Sequence, residues 1–419
     1  MDAPDAIQLM GDKQWQEIKS RLTGKFNKMM KGLFRQKGAQ LDINILASDE
    51  AQEFITAHAG ILDAGFQKVE MSDKMRERLT RSNYIFSGIK TFHELNEAFP
   101  SMLDENGNKK PFERFLNDVQ KINDTYNANY LHAEYNFVQA SATMAAKWEQ
   151  FSEDGDRYYL QYRTAKDDKV RPEHAALDGV TLPMSDSFWE TYYPPNGWNC
   201  RCTVVQVRKQ KYPATEHAEA MSRGEEAMNG ERYNIFRFNS GKQGKTMPDY
   251  NPYTIKRCND CDVAKGKLKL GFVPDYQLCQ GCIMIRKCSE DRNKDNSAKA
   301  TKKSPEVKKL QGTTISNPDF NHEVLVTGGS IREWTNQPHK EYAAKNSILK
   351  HIAKVFREAN YIGFIDNFKK KPGVKQSHLF ETNVLGELSW IIVREYEIGE
   401  FVLHSISDSD KIKTGIRKE

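Results

Sequence analysis

Apolar residues recur at helical spacing over two stretches of the N-terminal third. From Trp15 to Leu33 they fall on one side of a helix, with lysines and arginines mainly on the other faces. The second stretch begins at Pro111, a residue suited to a first helical turn, and the 40 residues that follow it contain neither Gly nor Pro. We expect one long helix or two nearly collinear helices there, and no arrangement typical of an active site.

The pattern changes from helical to strand-like after Tyr158. Residues 159–164 and 203–207 alternate as half-buried strands do. Near the C-terminus a helix is predicted from about His339 to Ala359. It is followed by short strands at 361–368, 378–382, 388–395 and 401–406. This order, a helix and then a sheet, predicts a small α+β domain.

Composition limits the class of protein. The chain has 419 residues, a formal charge of +5, 38% hydrophobic and 28% charged residues, which excludes collagen-like and largely disordered proteins. The length suggests about three folding units. The best apolar run, from Leu388 to Val393, is strand-sized, so we expect no membrane span. The acidic N-terminus lacks a signal-peptide pattern, which favours synthesis in a reducing compartment.

The positive charge is concentrated between Ile285 and Leu310. This stretch holds nine Lys/Arg and four acidic residues and few large apolar ones. We interpret it as a solvated basic linker. The alternative is a linker that also contacts DNA or RNA.

Four cysteines form two C-x2-C pairs, Cys258 with Cys261 and Cys279 with Cys282, and 17 residues separate the pairs. Four thiolates at this spacing can enclose a tetrahedral zinc ion, so we predict a zinc ribbon holding a structural Zn²⁺. Unrelated reduced thiols or a redox pair are the alternatives.

A second metal site is suggested more weakly by Cys200 and Cys202. His174 lies upstream, and Asp167 and Asp168 precede it, so two thiolates, an imidazole and one carboxylate are available. The alternative is a packed loop whose reduced thiols behave as small apolar side chains. Cys288 has no obvious role.

The middle of the chain carries a distinctive order of residues. It runs through Tyr162-Arg163-Thr164-Ala165, Arg171-Pro172-Glu173-His174, Ala176-Leu177-Asp178-Gly179, Phe188-Trp189 and Pro194-Pro195-Asn196-Gly197-Trp198-Asn199-Cys200-Arg201-Cys202. Together with residues 130–136 upstream, this resembles the phage Mu F-type head-morphogenesis (minor head protein) family over about residues 110–210. The resemblance implies a minor capsid protein, associated with the portal, that acts in head assembly or genome delivery. Its location would be the host cytoplasm during assembly and then the virion head.

The C-terminal pattern, over about residues 318–415, resembles the phage barnase/EndoU/colicin/RelE-like nuclease domains. The resemblance implies metal-independent cleavage of RNA, in which a base, an acid and cations act on the ribose hydroxyl, the leaving oxygen and the phosphate. The candidate catalytic residues are His339, Lys340, His378, Glu381 and His404. An inactive, binding-only module is the alternative.

The sequence therefore predicts a multidomain α+β protein. Its modules are a helical region (1–150), a mixed head-morphogenesis module (151–250), a zinc ribbon (251–290), a basic linker (291–317) and a barnase-like domain (318–419). The expected partners are the portal, other capsid proteins, and DNA or RNA. A ribonuclease toxin fused to a head-protein module, or a host-encoded zinc-ribbon protein that binds nucleic acid, are alternatives.

Overall fold

The computed structural model describes residues 12–38, 40–249, 251–253, 279–367, 370–384 and 386–417. The chain divides into two compact units, one ending at Ser289 and one beginning at Glu290. Among the residues described, no helix combines the length and the apolar character needed to cross a membrane.

The first unit begins with helices. They are α1 (Asp12–Phe34), α2 (Asp49–Ala64), α3 (Asp73–Ala98), α4 (Phe112–Asn123) and α5 (Leu131–Asp154). Serine side chains begin two of them, since Ser48 and Ser72 each accept a hydrogen bond from the backbone N–H three residues later. Short 3-10 turns at Ile43–Ala47 and Phe99–Met102 complete the connections. The helical predictions are confirmed.

Between α4 and α5 the chain continues as a π-helical segment, Asp124–Tyr130. The sequence predicted one long helix or two nearly collinear ones over this region, and the structure has two α-helices joined by this segment. The wider turn is associated with a buried cation, because the Tyr126 carbonyl accepts a hydrogen bond from Lys90 Nζ at 2.7 Å. π-Helical turns of this kind often occur at functional sites.

Lys90 belongs to a buried polar cluster between α3 and α5. Its ammonium group lies 2.7 Å from Glu134 Oε2, and both side chains are almost fully excluded from solvent. Tyr253 donates a hydrogen bond to the other Glu134 oxygen, and His58 Nε2 lies 3.6 Å from the carboxylate. Burial raises the pKa of Glu134, but Lys90 and His58 outweigh it and hold that pKa at about 2.

The pKa of His58 gives a pH prediction. Burial, with Lys90 nearby, lowers it from 6.5 to about 4, so between these values the unfolded chain binds a proton that the folded chain does not. Neutral His58 therefore contributes to the free energy of unfolding above about pH 6.5, and this contribution is lost as the pH falls to about 4.

We expect the stability advantage of the native protein over a His58→Gln variant to shrink across that interval, measured by urea denaturation at several pH values. A difference that stays constant with pH would show that His58 does not titrate in this way. Comparing the two chains also removes the opposing contribution of Glu94, whose pKa burial raises to about 8.

The second part of the first unit contains a small antiparallel sheet. Strand β1 (Tyr159–Arg163) lies between β2 (Thr181–Pro183) and β3 (Thr203–Val207), with Tyr162 opposite Val204. One-turn helices α6 (Pro172–Ala175) and α7 (Phe188–Thr191) lie in the connections, and α8 (His217–Ala227) and α9 (Ser240–Gln243) follow. The strands predicted at 159–164 and 203–207 are confirmed.

The helices and this sheet share one hydrophobic core. Lys147 Nζ on α5 donates a hydrogen bond to Thr203 Oγ1 on β3 at 2.8 Å. The Tyr193 hydroxyl donates to the Met144 carbonyl at 2.9 Å. The division expected at residue 150 therefore does not separate two compact units, because α5 packs against the sheet.

The second unit begins in a helix. Helix α10 spans Gln280–Lys303 and is followed by α11 (Pro305–Leu310). The prediction of a solvated linker over residues 291–317 is thus wrong in its local structure. The stretch has few large apolar residues, but its alanines and lysines favour helix, and Ala298 and Val307 are buried.

A six-stranded sheet forms the core of the second unit. Its strands are β4 (Thr314–Asn317), β5 (Phe320–Leu325), β6 (Asn360–Asp366), β7 (Val374–Val384), β8 (Glu387–Tyr396) and β9 (Phe401–Ser407). The order is β4-β5-β9-β8-β7-β6, and only the β5–β9 pair is parallel. The α+β prediction is confirmed, although β4 and β5 were not predicted.

Three helices precede β6. They are α12 (Gly328–Asn336), α13 (Tyr342–Ile348) and α14 (Ile352–Glu358), with a 3-10 turn between the last two. The helix predicted from His339 to Ala359 is therefore two short helices that begin later. Trp334 of α12 is fully buried with Phe380, Ile391 and Leu403 of the sheet, so the helices cover one sheet face.

Candidate functional site

Three side chains capable of binding a metal meet in the first unit. His174 lies on α6, and Cys200 and Cys202 lie just before β3. His174 Nδ1 is 3.6 Å from Cys200 Sγ and 3.7 Å from Cys202 Sγ. All three residues are buried, with exposures of 2–3%. The predicted grouping is confirmed, and the cluster can hold a metal ion.

Polar contacts fix the loop that carries the two cysteines. Asn199 has a positive φ of 57°, and its side-chain carbonyl accepts a hydrogen bond from Asn136 of α5 at 3.1 Å. Asn tolerates this left-handed conformation better than most residues. Arg171, just before α6, donates to the Trp198 carbonyl at 2.5 Å. The loop, α5 and α6 are thus joined beside the thiols.

The charged residues around the cluster do not complete it. Arg201 forms two hydrogen bonds to the Asp167 carboxylate, at 2.5 and 2.6 Å, and Asp168 is exposed. Neither aspartate is brought into the cluster, contrary to the expectation of a carboxylate ligand. A hydrogen bond from Cys202, and His174 nearby, hold the pKa of the Cys200 thiol well below its usual value.

The predicted zinc ribbon lies largely outside the described residues, which include neither Cys258 nor Cys261. Of its other two cysteines, Cys279 precedes α10 and Cys282 lies in its first turn. Their sulfur atoms are 3.5 Å apart and are not joined in a disulfide. That spacing is close to the roughly 3.8 Å between two thiolates on a tetrahedral zinc ion.

The second unit has a cavity of about 650 Å³ on the sheet face opposite the helices. Its polar lining includes Arg394 of β8, His404 of β9, Lys371 and Lys411. His404 is the extra residue of a β-bulge, since Ile392 pairs with Ser405 and Val393 pairs with Leu403. The bulge explains how the successive residues His404 and Ser405 both line the cavity.

The environment of His404 favours its neutral form. Burial, and then Arg394, lower its pKa to about 4. Arg394 and the two lysines outnumber Asp366, which also lines the cavity. The lining therefore carries a net positive charge, which suits a phosphate group. Of the five candidate catalytic residues, His404 is the one that lines this cavity.

His339 and Lys340 lie elsewhere, before α13. The buried His339 ring contacts Ser389 Oγ at 2.9 Å through Nε2, and its Nδ1 accepts the Glu341 backbone N–H. Lys340 pairs with Glu387 at 2.5 Å. These contacts fix the chain to the end of β8, so a positioning role explains both residues.

His378 is buried on the helix-covered side of the sheet. Its Nδ1 is 2.9 Å from the Tyr361 hydroxyl, and its Nε2 is 3.0 Å from Glu395 Oε2. The sequence predicted Glu381, three positions along the same strand, as the acidic residue that acts with His378. Neither Tyr361 nor Glu395 was singled out, because their contact with His378 depends on the pairing of β6, β7 and β8.

Comparison with known proteins identifies the central segment. Residues 106–205 match the family model described as "Phage Mu protein F like protein". The chain carries a Mu F-like segment. This confirms the resemblance expected over about residues 110–210, and the segment contains His174, Cys200, Cys202 and the Glu134 of the buried cluster.

Two named relatives match part of the chain. The "Putative capsid assembly protein F" of Escherichia phage Mu is 32% identical over 177 residues, which are 41% of this chain and 38% of that protein. The "Mu-like prophage FluMu F protein" of Haemophilus influenzae is 33% identical over 102 residues, or 24% of this chain and 22% of that protein. The chain therefore spans well under half of each relative.

The second unit matches a different family model. Residues 292–403 match "Large polyvalent protein-associated domain 3", beginning in α10 rather than at the predicted boundary of 318. The nuclease-like character of this unit stays a prediction. No solved structure matches the chain.

Proposed function

We propose that the chain is a phage or prophage minor head protein that acts in capsid assembly. The observation that carries this proposal is the Mu F-like match over residues 106–205, together with a relative named as a capsid assembly protein. The protein would work in the host cytoplasm during assembly and remain in the virion head.

The first unit is the part that we assign to assembly. The Mu F-like segment shares its core with the N-terminal helices, and the contacts of Lys147 and Tyr193 join α5 to the sheet. A unit with one continuous core suits a role in which its surface binds other capsid proteins. We propose the portal as the main partner, with a role in genome delivery.

Portal association can be tested by co-purification. We expect the tagged full chain to retain a co-expressed portal protein, and a chain truncated after Lys303 to retain it equally well. The truncation keeps the first unit and α10 and removes the rest of the second unit. Portal retention that disappears in the truncated chain would contradict the assignment of assembly to the first unit.

A second candidate function is suggested by the cavity that contains His404 and Arg394. We propose that the second unit cleaves RNA without a metal ion. The ribose 2′-oxygen would attack phosphorus while a base takes its proton, and the bond to the 5′-oxygen would break as that oxygen gains a proton. His404, neutral near pH 7, can accept the first proton, while Arg394 stabilises charge on the phosphate.

Structural zinc and nucleic-acid contact complete the proposal. We assign one Zn²⁺ to Cys258, Cys261, Cys279 and Cys282, supported by the spacing of the last two thiols. We assign DNA or RNA contact to the second unit. The exposed lysines of α10 and the positive lining of the cavity support this assignment.

A further inference from the structure

Two sulfur atoms in the first unit lie at nearly equal distances from one imidazole nitrogen. Cys200 Sγ and Cys202 Sγ are 3.6 and 3.7 Å from His174 Nδ1. A neutral ring nitrogen has one lone pair, so it can accept a hydrogen bond from one of these thiols while it contacts both. The arrangement directs three ligand atoms toward a common point.

The distances fit a zinc ion at that point. Zinc bonds of about 2.3 Å to sulfur and 2.0–2.1 Å to nitrogen place tetrahedral ligand atoms roughly 3.6 Å apart. The two observed distances agree with this value. Two thiolates and an imidazole also form a donor set that binds zinc in preference to hard cations such as Mg²⁺ or Ca²⁺.

We propose that His174, Cys200 and Cys202 bind a structural zinc ion in the Mu F-like segment. This site is separate from the four-cysteine ribbon and goes beyond the assembly function. Burial fits the proposal, because all three ligand side chains are excluded from solvent, as is common for zinc ligands inside a protein. Arg201, next to both cysteines in the chain, is held by Asp167 instead. Structural zinc sites are closed by four protein ligands, so a fourth protein ligand would complete the tetrahedron.

The position of the ion explains what it would do. Between β1 and β3 the chain runs for 39 residues with one three-residue strand and two one-turn helices, so the backbone alone gives this segment little support. A zinc ion would join α6 to the residues before β3. Because the assembled binding site does not exist in the unfolded chain, binding the ion would stabilise the fold of this segment.

Metal content of the purified full chain is the first test. We expect mutation of the site by Cys200→Ser with Cys202→Ser to remove about one equivalent of zinc per chain. Cys258→Ser with Cys261→Ser tests the ribbon separately, and Cys288→Ser is the matched control that should change nothing. Loss of zinc from the ribbon variant alone would overturn the present proposal and leave the ribbon standing.

A spectroscopic test needs no variant and so does not depend on a mutant chain folding. The native protein is loaded with ¹¹³Cd²⁺, whose NMR shift distinguishes four-sulfur from two-sulfur sites. We expect one resonance from a site with two sulfurs and an imidazole, coupled to His174, whether or not a four-sulfur resonance is also present. A spectrum with a four-sulfur resonance alone, or with none, would overturn the proposal.

Discussion

Replacing Lys90 by Met is expected to lower the unfolding free energy of the first unit by about 3–5 kcal/mol, because it leaves a buried carboxylate without its cation. Lys90 Nζ lies 2.7 Å from Glu134 Oε2, and both side chains are excluded from water. Methionine matches the length of the lysine stem but supplies neither the charge nor the hydrogen bond to the Tyr126 carbonyl. Urea denaturation followed by tryptophan fluorescence measures the loss.

The double variant Lys90→Met with Glu134→Gln provides the internal control. Removing the carboxylate charge as well should restore a large part of the lost stability, since the penalty comes mainly from the unpaired ion. Lys25→Met is a matched control, because its partner Glu53 lies at the surface and exposed pairs contribute little. Equal losses for Lys90→Met and Lys25→Met would show that the Lys90–Glu134 pair is not buried as described.

RNA cleavage by the full chain in EDTA is expected to fall at least about 100-fold when His404 and Arg394 are both replaced by Ala. General acid–base catalysis typically contributes 10²–10⁴-fold, and charge stabilisation adds to it. Both side chains line the cavity on the open sheet face. The measurement is the initial rate on a labelled RNA, with the products checked for a 2′,3′-cyclic phosphate end.

The control for this experiment uses the same residue types on the opposite side of the second unit. His351→Ala with Arg357→Ala changes exposed side chains that do not line the cavity and should leave the rate unchanged. A native chain that does not cleave RNA, or equal rates for the cavity variant and the native chain, would exclude the ribonuclease function. Neither result would affect the assignment of the first unit to assembly.

Elements with a strong local pattern were predictable from the sequence. The period of apolar residues predicted α1, α4 and α5, and alternation predicted β1, β3 and the last four strands. The basic stretch was predicted wrongly because it lacks a conspicuous apolar stripe. Its helix, α10, is favoured by residue preference and by burial of a few small side chains such as Ala298.

The candidate sites were likewise predictable only where residue type or local pattern was informative. His174, Cys200 and Cys202 were predictable as a group because their residue types are typical zinc ligands, even though 25 residues separate His174 from Cys200. The partner of His378 was not predictable from spacing along one strand. Glu395 contacts it only because β7 and β8 pair in one particular register. The bulge that places His404 in the cavity likewise depends on pairing rather than on residue type.

Quantitative mass spectrometry of purified phage heads tests the central claim most directly. If the chain is a minor head protein, it will be found in purified heads at a low, fixed ratio to the major capsid protein. A chain that lacks the residues after Lys303 will be found there as well. Its absence from purified heads and from their assembly intermediates would contradict the account.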